Sequence, residues 1–174
     1  GNEFCRRIKG DERTSHIPVI MLTARTNADQ QVEGLENGAD IYLTKPFSVK
    51  VLQSYIRNLL ATRETMRQYF THKLLLEPVG VGIGTVNVRF MERLMTVINA
   101  NLGNPDFHIN DLSKEIGMST AVLYKKFNAL TQTPIAEFIK SLRLKKAALL
   151  LKNRELNVSE VAWEVGFNDR KYFS

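Results

Sequence analysis

An α/β segment of parallel strands followed by an all-α segment is the architecture predicted for this chain of 174 residues, and three observations predict it. The run Ile17 to Leu22 is apolar without alternation, as a parallel strand covered on both faces would be, and the pattern after it reads helix, strand, helix. The run Gly80-Val81-Gly82-Ile83-Gly84-Thr85 divides the chain. Beyond it, Asp111-Leu112-Ser113-Lys114-Glu115-Ile116-Gly117-Met118-Ser119 is echoed by Glu160-Val161-Ala162-Trp163-Glu164-Val165-Gly166-Phe167-Asn168. In each copy two apolar residues stand four apart, a glycine follows where the chain turns, and then come an apolar residue and a Ser or Asn able to cap a second helix. Both copies read as helix-turn-helix cores.

Composition sets the outer limits. With 44% hydrophobic residues the chain can bury real cores, and no apolar run approaches the roughly 20 residues that cross a bilayer. The first residues lack the pattern of a signal peptide, so a cytoplasmic location is expected, with a parent protein that can be anchored in the inner membrane. The single cysteine, Cys5, excludes an intrachain disulfide and reads as an ordinary helix residue. Three scattered histidines give no zinc spacing. The net charge of +6 is uneven: residues 1–86 carry eleven Lys and Arg against nine acids, and residues 87–174 thirteen against nine. Charge alone says little about partners. Its placement says more, because Lys140, Arg143, Lys145, Lys146, Lys152 and Arg154 crowd residues 134–154 with Glu137 as the one acid.

Taken in order, Gly1 to Lys9 reads as a helix and His16 to Ala24 contains the first strand. Asn27 is placed to cap the next helix, Val32 and Leu35 to form its inner face, and Gly38 to end it. Asp40 to Thr44 is a second strand. Ser48 then caps a long helix over 49–70 with inward positions Leu52, Ile56, Leu59 and Leu60, and Phe47 is placed to staple against Leu52. The glycines of 80–85 lack a following Gly-Lys-Ser/Thr and a strand-then-helix frame, so a linker over 72–86 is expected rather than a phosphate loop.

The segments Ile17-Pro18-Val19-Ile20-Met21-Leu22-Thr23-Ala24, Gly38-Ala39-Asp40 and Tyr42-Leu43-Thr44-Lys45-Pro46-Phe47 resemble the second half of a response-regulator receiver domain, a flavodoxin-like parallel sheet whose N-terminal part is missing here. The resemblance implies that residues 1–71 are the C-terminal half of a receiver. Thr23 would sense an aspartyl phosphate, Lys45 supply positive charge, Tyr42 act as an aromatic switch, and the bond before Pro46 be cis. The phospho-accepting Asp and the acidic pair that holds Mg²⁺ are expected upstream. Asp11, Asp29 and Asp40 do not inherit their role, so no catalytic residue, metal or cofactor is expected within these residues.

In residues 87–174, Asn87 is placed to cap a support helix with Phe90, Leu94, Ile98 and Leu102 inward, ended by Gly103-Asn104-Pro105. Asn110 would cap a helix from Asp111 to Ile116. The helix after Ser119 turns Leu123, Phe127 and Leu130 to the core, and at about 100° per residue Ala121, Lys125 and Asn128 then face outward, with Val122 and Tyr124 flanking. Lys126 falls nearer the core stripe. Thr133 and Pro134 open a helix running through Ile135, Phe138, Ile139, Leu142 and Leu149 to about Asn153, roughly 30 Å long and close to the spacing of successive major grooves. In the second copy Arg170, Lys171 and Ser174 correspond to the outward face, and the chain stops within that helix. Trp163 is assigned no contact role.

This half is similar to an AraC-type DNA-binding domain, with Gly117, Gly166, Phe167 and Tyr172-Phe173-Ser174 as its most specific points. The combined resemblance implies a transcription regulator at the output end of a phosphorelay. Its implied partners are double-stranded DNA, a second receiver in a homodimer, an upstream histidine kinase and RNA polymerase, with no small-molecule substrate. Two rivals stand beside it. A hybrid parent would be known chiefly as a histidine kinase with its activity outside these residues, and a dimerising module cut within its second motif would not bind DNA.

Overall fold

The computed structural model describes residues 1–24, 28–76, 86–153 and 156–168. The first part contains α1 (Asn2–Gly10), β1 (Ile20–Thr23), α2 (Ala28–Glu36), β2 (Ile41–Thr44) and α3 (Val49–Leu76). The strands pair in parallel, from Ile20 against Ile41 to Thr23 against Thr44, with α2 as their crossover. One carboxylate ties the unit together: Asp40 accepts from the Val19 backbone N–H at 2.7 Å and from Lys9 Nζ at 2.5 Å, joining the entries of both strands to α1. The region proposed at position 27 as a cap, and the glycine run at 80–85, lie outside the described residues.

Several inward positions predicted here face out instead. Val32 and Leu35 are 53% and 50% exposed, because α2 meets the sheet through Gly34, whose missing side chain makes room for the Tyr42 ring: a Cβ at Gly34 would lie 2.5 Å from that ring. Leu22 is exposed, so β1 is not covered on both faces. In α3, Leu52 and Leu59 are half-buried whereas Ile56 and Leu60 are exposed, since the helix packs against α6 on one side only. α3 also continues to Leu76, into the stretch read as linker.

The second part contains α4 (Val86–Asn101), α5 (Ile109–Ile116), α6 (Thr120–Thr131), α7 (Ile135–Asn153) and α8 (Val158–Glu164). Phe90, Leu94, Ile98, Leu112, Leu123, Phe127 and Ile135 are sealed from solvent in one cluster, with the Phe127 and Phe138 rings 5.2 Å apart. Ala147, Val161 and Val165 form a smaller cluster between α7 and α8. The spacing-based core assignments hold, with Leu149 exposed. Three predicted caps are corrected. Asn110 lies inside α5 and accepts from Thr120 Oγ1, while His108 precedes the helix. Asn87 lies inside α4, and its amide oxygen accepts from Ser15 Oγ of the first part at 2.8 Å and from Lys126 Nζ. Thr133 Oγ1 donates back to the Thr131 carbonyl.

The two parts pack directly on one another. Arg67 of α3 donates to the Ala129 carbonyl of α6 at 3.0 Å, and Gln132 Nε2 donates to Glu64 at 3.0 Å. Arg93 of α4 reaches both Glu12, at 2.6 Å, and the Ile116 carbonyl. At the centre the Lys126 ammonium donates to Ser15 Oγ and Asn87 Oδ1, each at 2.9 Å, and to the Glu12 carbonyl, and it lies 4.6 Å from the Phe90 ring centroid.

Candidate nucleic-acid interface and sensing cleft

The two helix-turn-helix cores share their backbone construction as well as their sequence. Asp111 accepts from the His108 N–H at 3.2 Å, and Glu160 from the Asn157 N–H at 2.7 Å, so each first helix opens with the same reciprocal acid. Each turn then closes with the same two bonds. Gly117 N–H reaches Lys114 O and Met118 N–H reaches Ser113 O; in the second copy Gly166 reaches Trp163 O and Phe167 reaches Ala162 O. This pairing needs a left-handed residue, and Gly117 (φ 74°) and Gly166 (φ 81°) supply it. Ser119 Oγ then accepts from Val122 N–H, capping α6.

α6 presents Ala121, Tyr124, Lys125 and Asn128 to solvent as one continuous face, while Leu123, Phe127 and Leu130 are buried. Tyr124, Lys125 and Asn128 can donate to base edges and phosphates from the major groove, and Ala121 can make apolar contact there. Lys126, the next cation along, is wholly buried; burial pulls its pKa down to about 8 against the opposing pull of Glu12 and Asp11. Arg170, Lys171 and Ser174 lie outside the described residues. Arg143, counted with the basic stretch in the sequence, ties α7 to the turn after α4: its guanidinium donates to Leu102 O at 3.1 Å and Asn104 O at 2.8 Å, and burial disfavours its charged form. Spacing cannot reveal this, because the carbonyls it reaches belong to a turn 41 and 39 residues earlier.

At the other end of the chain, Thr23 and Tyr42 line a common cleft of about 760 Å³ together with Met21 and Glu33. Lys45 is exposed just beyond β2, its backbone N–H donating to Thr23 O at 2.6 Å, and the Lys45–Pro46 peptide bond is cis. Thr23 and Lys45 thus stand at the C-terminal ends of the two strands, while Tyr42, paired with Met21 nearer the strand starts, joins Thr23 in the cleft with its ring seated on Gly34. Among the described residues no three His, Cys, Asp or Glu side chains come together as ligands for a metal. A receiver domain implies a divalent ion such as Mg²⁺ in the complete protein.

Comparison with known proteins matches residues 1–57 to the response regulator receiver domain and residues 112–174 to a helix-turn-helix domain family. The chain joins a receiver segment to an AraC-type helix-turn-helix domain. A histidine kinase, P4, of Formosa agariphila is 37% identical over all 174 residues, which make up 13% of that protein. The DNA-binding dual master transcriptional regulator RpaA of Synechocystis is 41% identical over 76 residues, 44% of this chain and 32% of the relative. The chain thus spans well under half the length of these curated relatives. Among solved structures, the C-terminal domain of the two-component response regulator yesN from Fusobacterium nucleatum shares 29% identity and a TM-score of 0.47, over 49% of this chain and 88% of that one.

Proposed function

We propose that this chain is the output end of a two-component phosphorelay, a sequence-specific DNA-binding regulator of transcription. The observation that carries the reading is the duplicated turn with an exposed polar face on the helix after its first copy. α7 supports it: its 19 residues span about 28 Å at 1.5 Å per residue, a length suited to holding two reading helices near successive major-groove faces. Lys125 and Asn128 are the proposed reading residues of α6, with Ala121 and Tyr124 beside them, and Arg170, Lys171 and Ser174 their counterparts in the second motif. Residues 1–71 are read as receiver, 72–86 as linker and 87–174 as the DNA-binding domain.

In the receiver segment, Thr23, Lys45 and Tyr42 would sense a phosphoryl group held upstream, and the surface of α2, β2 and α3 would carry the change to a second receiver. Pairing of receivers would place two DNA-binding domains on adjacent half-sites. An upstream histidine kinase and RNA polymerase are the implied protein partners, and a cytoplasmic site of action follows from a DNA target; no helix among the described residues is long and apolar enough to cross a membrane. The match of all 174 residues to 13% of a histidine kinase favours a hybrid parent, whose kinase chemistry would lie outside these residues.

The test is a gel-shift titration of the chain against a selected operator and a scrambled duplex at several salt concentrations. Specific binding should exceed nonspecific binding by about 10³-fold or more, with affinity falling steeply as salt rises. Equal binding to both duplexes, or none, would leave only an interaction module.

A further inference from the structure

Between the receiver segment and the DNA-binding domain lies a cavity of about 290 Å³ that none of these roles uses. Its apolar wall includes Leu59 of α3, Val88 of α4 and Leu130 of α6; His16 and Arg63 line it as well, with Thr62 at its exposed rim. The charges around it do not cancel. Lys9 is paired with Asp40 at 2.5 Å, Arg67 with Glu64 at 3.3 Å, and the Lys126 ammonium is held by three oxygens. Arg63 is half-buried yet makes neither a hydrogen bond nor an ion pair among the described residues, and burial disfavours its charged form. His16 adds a second unmet group, since its Nδ1 is buried without a partner among the described residues. Burial and the nearby charges of Lys126, Arg63 and Lys9 hold the imidazole pKa down at about 4, so the ring is neutral at pH 7. Asp40, the one acid lining the cavity, favours the Arg63 charge from a distance but is itself held by Lys9 and the Val19 N–H.

A guanidinium withdrawn from water and left unpaired is costly, and its planar fork matches a carboxylate with two parallel bonds. We propose that this cavity binds a small organic carboxylate, its head on Arg63 and its apolar body against Leu59, Val88 and Leu130. One uncompensated charge calls for a monoanion, and the cavity volume lies at the lower end of the range for small-ligand sites. Such an occupant touches α3 of the receiver segment and the reading helix α6 at once, and so sits on the joint between signal and output.

Benzoate is a suitable probe, titrated calorimetrically into the 174-residue chain at pH 7 with inorganic phosphate as the comparison. Benzoate should saturate one site with a dissociation constant of about 1 mM or tighter, and phosphate should bind at least about tenfold more weakly. Arg63→Gln, which removes the unpaired charge, and Thr62→Trp, which fills the rim from an exposed position, should each weaken benzoate at least about tenfold, with the thermal melt held or raised in Arg63→Gln and unchanged in Thr62→Trp. Arg57→Gln, on the exposed face of the same helix, should have no effect. Absence of saturation, benzoate binding indifferent to Arg63→Gln, or phosphate binding as tightly as benzoate would each overturn the assignment.

Discussion

Lys125 and Lys126 are adjacent cations on one helix with opposite surroundings: the first faces solvent, the second lies sealed beneath Glu12, Ser15 and Asn87. Lys125→Ala should cost about 1 to 3 kcal/mol of operator binding if it reads a base, with lost preference at one position; if it touches only phosphate, the salt slope should fall by about one for every sequence. Lys126→Met should instead lower the melting temperature and loosen protection of α3 from hydrogen exchange, because it removes the hydrogen bonds joining the two parts. Unchanged stability with selective loss of operator preference in Lys126→Met would reverse these roles. The outward position of Lys125 was legible in the sequence from helical rotation alone. The burial of Lys126 was legible only as a lean toward the core, since Ser15, its partner, stands 111 residues away. His16 gives a pH test. Its folded pKa of about 4 lies below the ordinary 6.5, so the unfolded chain binds the proton more readily between those values. Stability should therefore be full above about pH 6.5 and decline as pH falls toward about 4, before carboxylates such as Asp11, held near 2 by Arg13, are lost. His16→Gln should flatten that decline in melts between these pH values, and an unaltered decline would place its cause elsewhere.

At the scale of elements, the two turns are alike in backbone and unlike in what surrounds them. A Cβ at Gly117 meets nothing within 4 Å, so Gly117→Ala bears only the left-handed penalty, about 1 to 2 kcal/mol. A Cβ at Gly166 would stand 2.6 Å from the Leu102 carbonyl and 3.1 Å from the Arg143 guanidinium, so both the turn and the adjacent Arg143–Leu102 hydrogen bond must give way. Urea melts should show Gly166→Ala losing at least about twice as much as Gly117→Ala; equal losses would mean that the second motif yields freely. The glycines, the four-residue apolar spacing and the cap at Ser119 were readable because each is a local device, fixed by residues within one turn. The inner faces of α2 and α3 were not. Periodicity locates an apolar stripe but not what covers it, and in α2 the small Gly34, rather than Val32 or Leu35, sets which side meets the sheet. The misplaced caps at Asn87 and Asn110 have a similar origin: a side chain suited to capping was recruited by a partner distant in sequence.

At the scale of the whole molecule, order is unevenly distributed. Among the described residues, Cys5 and Ala39 are the only apolar side chains of the first part counted as buried, whereas the second part holds a sealed cluster running from Phe90 to Leu142. The first part also has a sheet of two strands, below the three or more that ordinarily stand alone, and it exposes Leu22, Val32, Leu35, Ile56 and Leu60. Its firmest anchors are the contacts it makes with the helix-turn-helix part: Arg67 on Ala129, Glu64 on Gln132, Glu12 on Arg93, and the Lys126 cluster. Residues 1–76 as an isolated peptide should accordingly lack a cooperative thermal transition and should self-associate through apolar surface and open strand edges. Residues 86–174 should melt cooperatively by themselves, at a lower temperature than the whole chain because the docking bonds are gone. Differential scanning calorimetry of the three species checks both statements. A sharp two-state transition from monomeric 1–76, or an identical melting temperature for 86–174 and the whole chain, would show that the two parts stand independently and that the contacts between them contribute nothing to stability.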